Sequence, residues 1–379
     1  MVRKAHSLQL AVLVLIGCIL AFGLLMIFST TSAEVLDNLS GRSPHHAILK
    51  QSWYAFGGIG FGFCLYRIGY SRLLSWSPLL LSIFIFLLIL SLIPGIGKEV
   101  NGSRRWLSIA GISFQPSEFV KYLIPAFFIH RFFSQTKEEF LFKDFIKLTG
   151  FVAIPMVLIM VEPNNGTTAV IGMTLLVLFC LMGISVKYWA FPLLIAFSIG
   201  GAFASQLPYV KARIHVYLHP ELDLRGRGHQ PYQAKIAAGS GKLFGKGPGN
   251  SLQKLSYLPE AQNDYIAAIY AEEFGFVGVL LLIAFYMLFT YFGFSIAYLA
   301  DDSHSFFLAS SITFLIAFQA FLNLGVVSGL LPSTGLNLPF FSQGGTSLMA
   351  NLGGLGILLS ILHPRLVVEK KEQSLNGSR

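Results

Sequence analysis

From Leu8 to Phe28 the chain carries no charged side chain. Nine further apolar stretches follow, at about 52–66, 75–94, 117–133, 145–162, 167–184, 188–205, 265–299, 305–328 and 345–363. About 20 apolar residues suffice for a helix to cross a bilayer core of about 30 Å. Inside hydrocarbon every backbone N–H and C=O needs a partner within the protein, and a helix supplies these from its own segment. The expectation is an all-α polytopic membrane protein with ten transmembrane helices. Residues 1–379 read as one integral membrane domain, without a separate soluble domain or a short repeat. Charge agrees: 12% of residues are charged, about half the share in a soluble domain.

Arg3 and Lys4 before the first run, with Thr31-Ser32-Ala33 after it, have the outline of a signal peptide. The run exceeds the roughly 7–15 residues of such a core, so a retained first span is expected. The 265–299 run is longer than one crossing needs, which implies tilt or a helix that projects into water. Gly57, Gly58, Gly60 and Gly62 in the second run mark a close-packing helix face. Cys18, Cys64 and Cys180 lie in apolar runs without metal spacing and read as buried small hydrophobes, not disulfides. A net charge of +9 suits anionic headgroups or a phosphorylated substrate, and a chain that is mostly helix in lipid is no nucleic-acid binder.

Lys and Arg in short loops set orientation. With the N-terminus inside, inner segments hold 13 such residues against 5 in the outer short loops. Both termini are therefore expected in the cytoplasm, including a short tail at 365–379. The long loop at about 206–264, between helices 7 and 8, then faces outward with Asp264 at its end.

A carboxylate where water meets a membrane helix is costly and marks a functional site by default. Asp264 is that residue, and the stretch leading to it is rich in Gly, Pro and Lys. Gly239-Ser240-Gly241-Lys242 imitates a phosphate loop, but Leu243 stands where that motif needs Ser or Thr. What is left is a flexible basic loop that can present backbone N–H groups, Lys242, Lys246 and Lys254 to phosphate, or simply be solvated. Pro116 starts a helix on which Glu118 and Lys121 share one face, either as an ion pair or with Lys121 held for an anionic substrate. Arg104 and Arg105 beside Trp106 suit an anion or an interfacial anchor. Glu162 sits at the membrane edge before a Pro-Asn-Asn-Gly turn whose composition the turn itself explains. Pro332, Gly335, Pro339, Gly344 and Gly345 break the helical pattern between spans nine and ten. Either a surface loop or a re-entrant cavity wall would fit there.

Taken together, NGSRRW, QPSEFVK, EPNNGTT, GSGKLFGKGPGNSLQKLSYLPEAQNDY, EEFGFVG and NLGVVSGLLPSTGLNLPFFSQGGTSL resemble the SEDS family (shape, elongation, division and sporulation). The blocks occur in the family's order and cover about residues 100–360, and NSLQKLSYLPEA is closer to the division branch than to the elongation branch. The resemblance implies ten membrane helices, a large extracytoplasmic loop, and peptidoglycan glycosyltransferase activity on lipid II in a bacterial cytoplasmic membrane. It also implies a class B penicillin-binding protein as partner, among other divisome or elongasome membrane proteins. The family's essential Asp, in the block that opens Pro259-Glu260, falls on Asp264, and its embedded Lys falls on Lys121. Gln262-Asn263 replaces the commoner His-Thr, Asn164 an Asp and Gln343 a Tyr, which bears on any bound Mg or Mn ion.

The expected chemistry is proton removal by Asp264 from an acceptor sugar hydroxyl, with positive charge on the departing lipid pyrophosphate. Lys121, Arg104, Arg105, Lys242 and Lys246 are the candidate cations, with Glu118 and Glu260 beside them. Two other classes compete: a lipid II flippase, which makes no bond, and a divisome scaffold, which does not need Asp264.

Overall fold

The computed structural model describes residues 2–38, 45–100, 103–109, 112–135, 140–194, 216–223, 226, 228–255, 258 and 261–362. Helices dominate: α1 (Val2–Asn38), α2 (His45–Ile68), α3 (Tyr70–Leu92), α4 (Pro116–Phe133), α5 (Phe142–Val161) and α6 (Asn165–Leu181). After these come α7 (186–194), α8 (His229–Ser240), α9 (Ile266–Tyr298), α10 (Ser303–Val327) and α11 (Gly345–Ser360). Five of them, α1, α3, α5, α9 and α10, are long and apolar enough to cross a membrane, and α6 and α11 are shorter apolar helices. The chain is a multi-pass membrane protein. The expected seventh span beyond residue 194 and the tail at 365–379 lie outside the described residues.

The all-α expectation needs one correction. Between α3 and α4 lies a three-stranded antiparallel sheet of β1 (Gly97–Val100), β2 (Ser103–Ile109) and β3 (Ile112–Phe114). Its strands are only three to seven residues long, too short and too polar to show as alternation in a sequence dominated by helical runs. Phe114 at its end stacks on Phe119 of α4 at 5.3 Å, and Thr346 of α11 donates to Ser113 O at 3.0 Å. The sheet thereby caps the N-terminal ends of α4 and α11.

The glycine face of α2 meets α11, but through only two of the four glycines. A Cβ at Gly62 would lie 2.5 Å from Leu352 O, and one at Gly58 would lie 2.7 Å from the Leu352 side chain. Gly57 and Gly60 face open space. Small residues four apart let two backbones touch, as in other membrane helix pairs. The three cysteines correct another expectation: Cys18, Cys64 and Cys180 are all exposed on outer helix faces. In an all-apolar helix the sequence cannot tell a lipid-facing position from a core one.

α9 is broken at Gly275, where φ is 68° and ψ −167°. A Cβ there would sit 2.2 Å from Gly245 N and 2.7 Å from Leu243 O. Two backbones cross at this point, and only glycine fits. Gly275→Ala should lower stability by at least about 1–3 kcal/mol, the cost of a non-glycine residue in that sparsely populated, glycine-only region, with the clash in addition. The thermal midpoint of the detergent-solubilised protein would register the change.

Candidate active site

Asp264 stands just before the first turn of α9, half-buried, where the positive end of the helix favours a negative charge. The segment that faces it is the non-helical stretch 328–344 between α10 and α11. A Cβ at Gly335, whose φ is 69°, would lie 3.8 Å from Asp264 Oδ2. Gln343 N donates to Gln262 O at 2.9 Å, and Tyr265 OH donates to Ser333 Oγ at 3.2 Å. Leu336, Leu338, Phe340 and Phe341 are buried in this stretch. Its carbonyls are taken by helix side chains, including Tyr286 OH to Pro339 O at 2.6 Å. The stretch forms a wall packed on the helices through residues 336 and 338–342, while Pro332, Ser333 and Gly335 stay exposed. Side-chain donors on its carbonyls are what irregular chain among membrane helices requires.

Two amides of α10, one helical turn apart, join that wall to both charged positions. Asn323 Nδ2 donates to Asp264 O at 2.8 Å and to Leu336 O at 2.7 Å. Gln319 Nε2 donates to Asn337 O at 2.8 Å, while Gln319 Oε1 accepts from Lys121 Nζ at 2.8 Å. Lys121 also bonds Glu118 at 2.7 Å and is only 1% exposed. Both readings of the Glu118/Lys121 spacing bear on this geometry. The pair exists, and its ammonium reaches the wall beside Asp264 through one amide. Neither Gln319 nor Asn323 stood out in the sequence, where they are neutral polar residues among several, with Ser310, Ser311 and Thr313, in a 25-residue helix that is otherwise mostly apolar. Their i, i+4 spacing was the available signal.

The opposite side of α4 is apolar. Phe119, Tyr122 and Leu123 line a cleft of about 460 Å³ that α2, α3 and α11 complete with Phe61, Leu80 and Gly353. Tyr122 OH donates to Asn351 Oδ1 at 2.7 Å. One helix therefore separates a buried cation from a cleft suited to a long apolar chain.

The arginines divide. Arg104 lies across from Glu99 in the sheet and bonds it at 3.0 Å in an exposed pair, a contact worth about 1 kcal/mol or less. Arg105 points inward, and its Nε is buried without a partner among the described residues. Near it, Glu162 is fully buried and accepts from Ser91 Oγ at 2.6 Å. Burial pushes the Glu162 carboxyl up to about 7, against the pull of the Ser91 hydrogen bond and the Arg105 charge. A carboxyl raised in the fold binds protons that the unfolded chain has released, so its contribution is full below about pH 4.5 and is lost as pH rises through about 7. Glu162→Gln should flatten stability across that window and raise it at pH 8 by up to roughly 3 kcal/mol. Thermal unfolding in detergent at pH 5 and pH 8 would measure it.

The basic loop is not a free, flexible strap. Glu272, fully buried, accepts from Lys246 Nζ, Ser251 Oγ, Ser240 Oγ at 3.1 Å, and the Leu252 and Gln253 amides at 3.3 Å each. Glu273 takes Lys254 at 2.8 Å and Ser29 at 3.1 Å. Lys246 is thus held against α9 with its side chain 31% exposed, and Lys242 is exposed on a left-handed turn. The two glutamates sit in the EEFGFVG block and look like part of an apolar helix, so the sequence alone assigned them no task. Glu260 lies outside the described residues. No group of three His, Cys, Asp or Glu residues able to hold a metal ion occurs among the described residues.

Residues 9–366 match the cell cycle protein family model that covers FtsW, RodA and SpoVE. The chain is a SEDS protein. It is 37% identical over 363 residues to stage V sporulation protein E of Bacillus subtilis, covering 95% of this chain and 98% of that one. It is 36% identical over 373 residues to the Legionella pneumophila protein named "Probable peptidoglycan glycosyltransferase FtsW", covering 95% and 92%. A chain of a solved peptidoglycan synthase complex that coordinates polymerization and crosslinking superposes with a TM-score of 0.74 at 25% identity, over 94% of this SEDS chain and 97% of that chain. The Thermus thermophilus rod shape determining protein RodA shares the fold, with a TM-score of 0.67 over 94% and 96% at 24% identity. The FtsW and sporulation relatives agree with the division-type wording of the NSLQKLSYLPEA block.

Proposed function

We propose that this SEDS protein is a peptidoglycan glycosyltransferase that joins lipid II units into glycan strands on the outer face of a bacterial cytoplasmic membrane, in septal synthesis. The observation that carries the reading is the continuous polar link from Asp264, through Asn323, the 332–344 wall and Gln319, to Lys121, with an apolar cleft behind α4. A substrate with a sugar head, a pyrophosphate and a long isoprenoid tail needs such an amphipathic division of space. The tail occupies the cleft and the sugars reach Asp264.

In the reaction, Asp264 takes the proton of the acceptor 4-hydroxyl as its oxygen attacks the donor anomeric carbon. The bond from that carbon to the pyrophosphate breaks, and lipid pyrophosphate leaves with the electron pair. A single displacement inverts the anomeric centre, so an α-linked donor gives a β-linked product. The leaving group's charge calls for preorganised cations, and Arg105, Arg104 and Lys242 are the candidates at the outer face. Lys121 acts from behind the wall, and Lys246 orders the loop through Glu272. A Mg or Mn ion would need the pyrophosphate oxygens as ligands in addition to Asp264, since such ions bind through one or two carboxylates plus substrate phosphates.

Ten spans, cytoplasmic termini, the 206–264 loop outside and a single domain over 1–379 belong to this reading. So does a class B penicillin-binding protein as partner. Topology is tested with single cysteines in a cysteine-free background. Leu252, 57% exposed on the loop, and Ser71, exposed in the first turn of α3, serve as positions. An impermeant thiol reagent outside the cell should label Leu252→Cys and spare Ser71→Cys. The reverse pattern would remove Asp264 from the compartment where polymer is made. A flippase would move lipid II through the same cleft yet yield no glycan from purified protein.

A further inference from the structure

The break in α9 is filled by another part of the chain. In an unbroken helix Phe276 N and Val277 N would donate to Glu272 O and Glu273 O. Instead Phe276 N donates to Lys242 O at 2.9 Å and Val277 N to Leu243 O at 3.1 Å. The two carbonyls they leave accept from Lys246 N and Gly247 N, each at 3.0 Å. Residues 242–247 are therefore spliced into the helix's own hydrogen-bond ladder, two bonds on each side of the break. These four freed backbone groups are thereby satisfied, which is the condition for irregular chain to enter hydrocarbon.

The tip of the spliced turn is apolar and uncovered. Leu243 is 52% and Phe244 77% exposed, and they adjoin Phe276 and Val277, at 55% and 48%. The latter two open the outward face of the membrane helix, which continues through exposed Leu280 and Leu281. Length sets the level. The 33 residues of α9 would reach about 50 Å as one rod, whereas 276–298 alone reaches about 34 Å at 1.5 Å per residue. The second length matches one crossing of a core of about 30 Å, and Tyr298 at its far end is 85% exposed, as an interfacial aromatic would be. The break thus falls at the outer boundary of the hydrocarbon.

We propose that Leu243 and Phe244 insert into the outer leaflet at the boundary of headgroups and acyl chains, with Lys242 level with the headgroup phosphates. The turn is a lipid anchor for the loop. Its polar side, Lys246 on Glu272, faces the protein, and its apolar tip continues the lipid-facing surface of α9. The anchor fixes the height of the loop that ends in Asp264.

The full chain, with Cys18, Cys64 and Cys180 replaced, is reconstituted into phosphatidylcholine/phosphatidylglycerol vesicles. An environment-sensitive fluorophore is attached at Phe244→Cys and, as a solvated reference, at Pro248→Cys. A lipid with a nitroxide near its glycerol should quench position 244 several-fold more than 248, and aqueous iodide should do the opposite. Leu243→Cys repeats the measurement should Phe244→Cys fail to fold. Equal iodide access at 244 and 248 overturns the proposal. So does shielding of 244 that appears only when a partner transpeptidase is added, since the patch would then be a protein contact.

Discussion

Lys121→Met is expected to abolish polymerisation and to lower stability by about 3–5 kcal/mol, because it leaves Glu118 buried without its counter-charge. Lys121 is 1% exposed, and Glu118 and Gln319 both accept from its ammonium. Glu118→Gln/Lys121→Met removes both charges and should recover the folded yield. It should not recover activity, since methionine cannot donate to Gln319 and the amide that fixes Asn337 O loses its orientation. Size-exclusion yield and glycan synthesis, measured on the same preparations, separate the two effects. Full activity in the double variant would reduce Lys121 to a counter-ion for Glu118, with no bearing on the wall opposite Asp264.

Asp264→Asn should lose at least about 10²-fold in polymerisation rate, the usual contribution of a positioned general base. Asn is nearly isosteric and keeps the hydrogen-bonding oxygen but cannot take the proton. The contact from Asn323 to Asp264 goes to the main-chain oxygen, so the substitution leaves that tie intact, and lipid II binding should stay near normal. Asp264→Glu keeps the charge but moves it by a methylene toward Gly335. Attack geometry tolerates little displacement, and severe impairment is expected here as well. A scaffold would tolerate both changes in growth complementation.

Most of what the sequence made legible rests on charge in apolar surroundings. Asp264, Lys121 and Glu118 were visible because an ionisable group in a membrane segment needs a reason. The wall at 332–344 was visible because proline and glycine interrupt a helical period. Gln319 and Asn323 were not, since a neutral amide costs little in a helix that packs among others. The Glu272/Lys246 and Glu273/Lys254 pairs join residues 26 and 19 positions apart, and no local pattern links them. The same holds for the splice at Gly275, where the sequence showed only an overlong run and a glycine. The sheet at 97–114 was hidden by its short strands. The cysteines were misplaced because hydropathy does not separate lipid from core.

The central claim is that glycosyl transfer occurs on this chain with Asp264 as the base. The direct measurement is polymerisation of lipid II by purified protein, with and without its transpeptidase partner, alongside Asp264→Asn of equal lipid II affinity. The account predicts glycan strands from the wild-type chain and a rate at least about 10²-fold lower from the Asn variant. Near-wild-type strand synthesis by that variant, or no strands from the wild type under either condition, would contradict it.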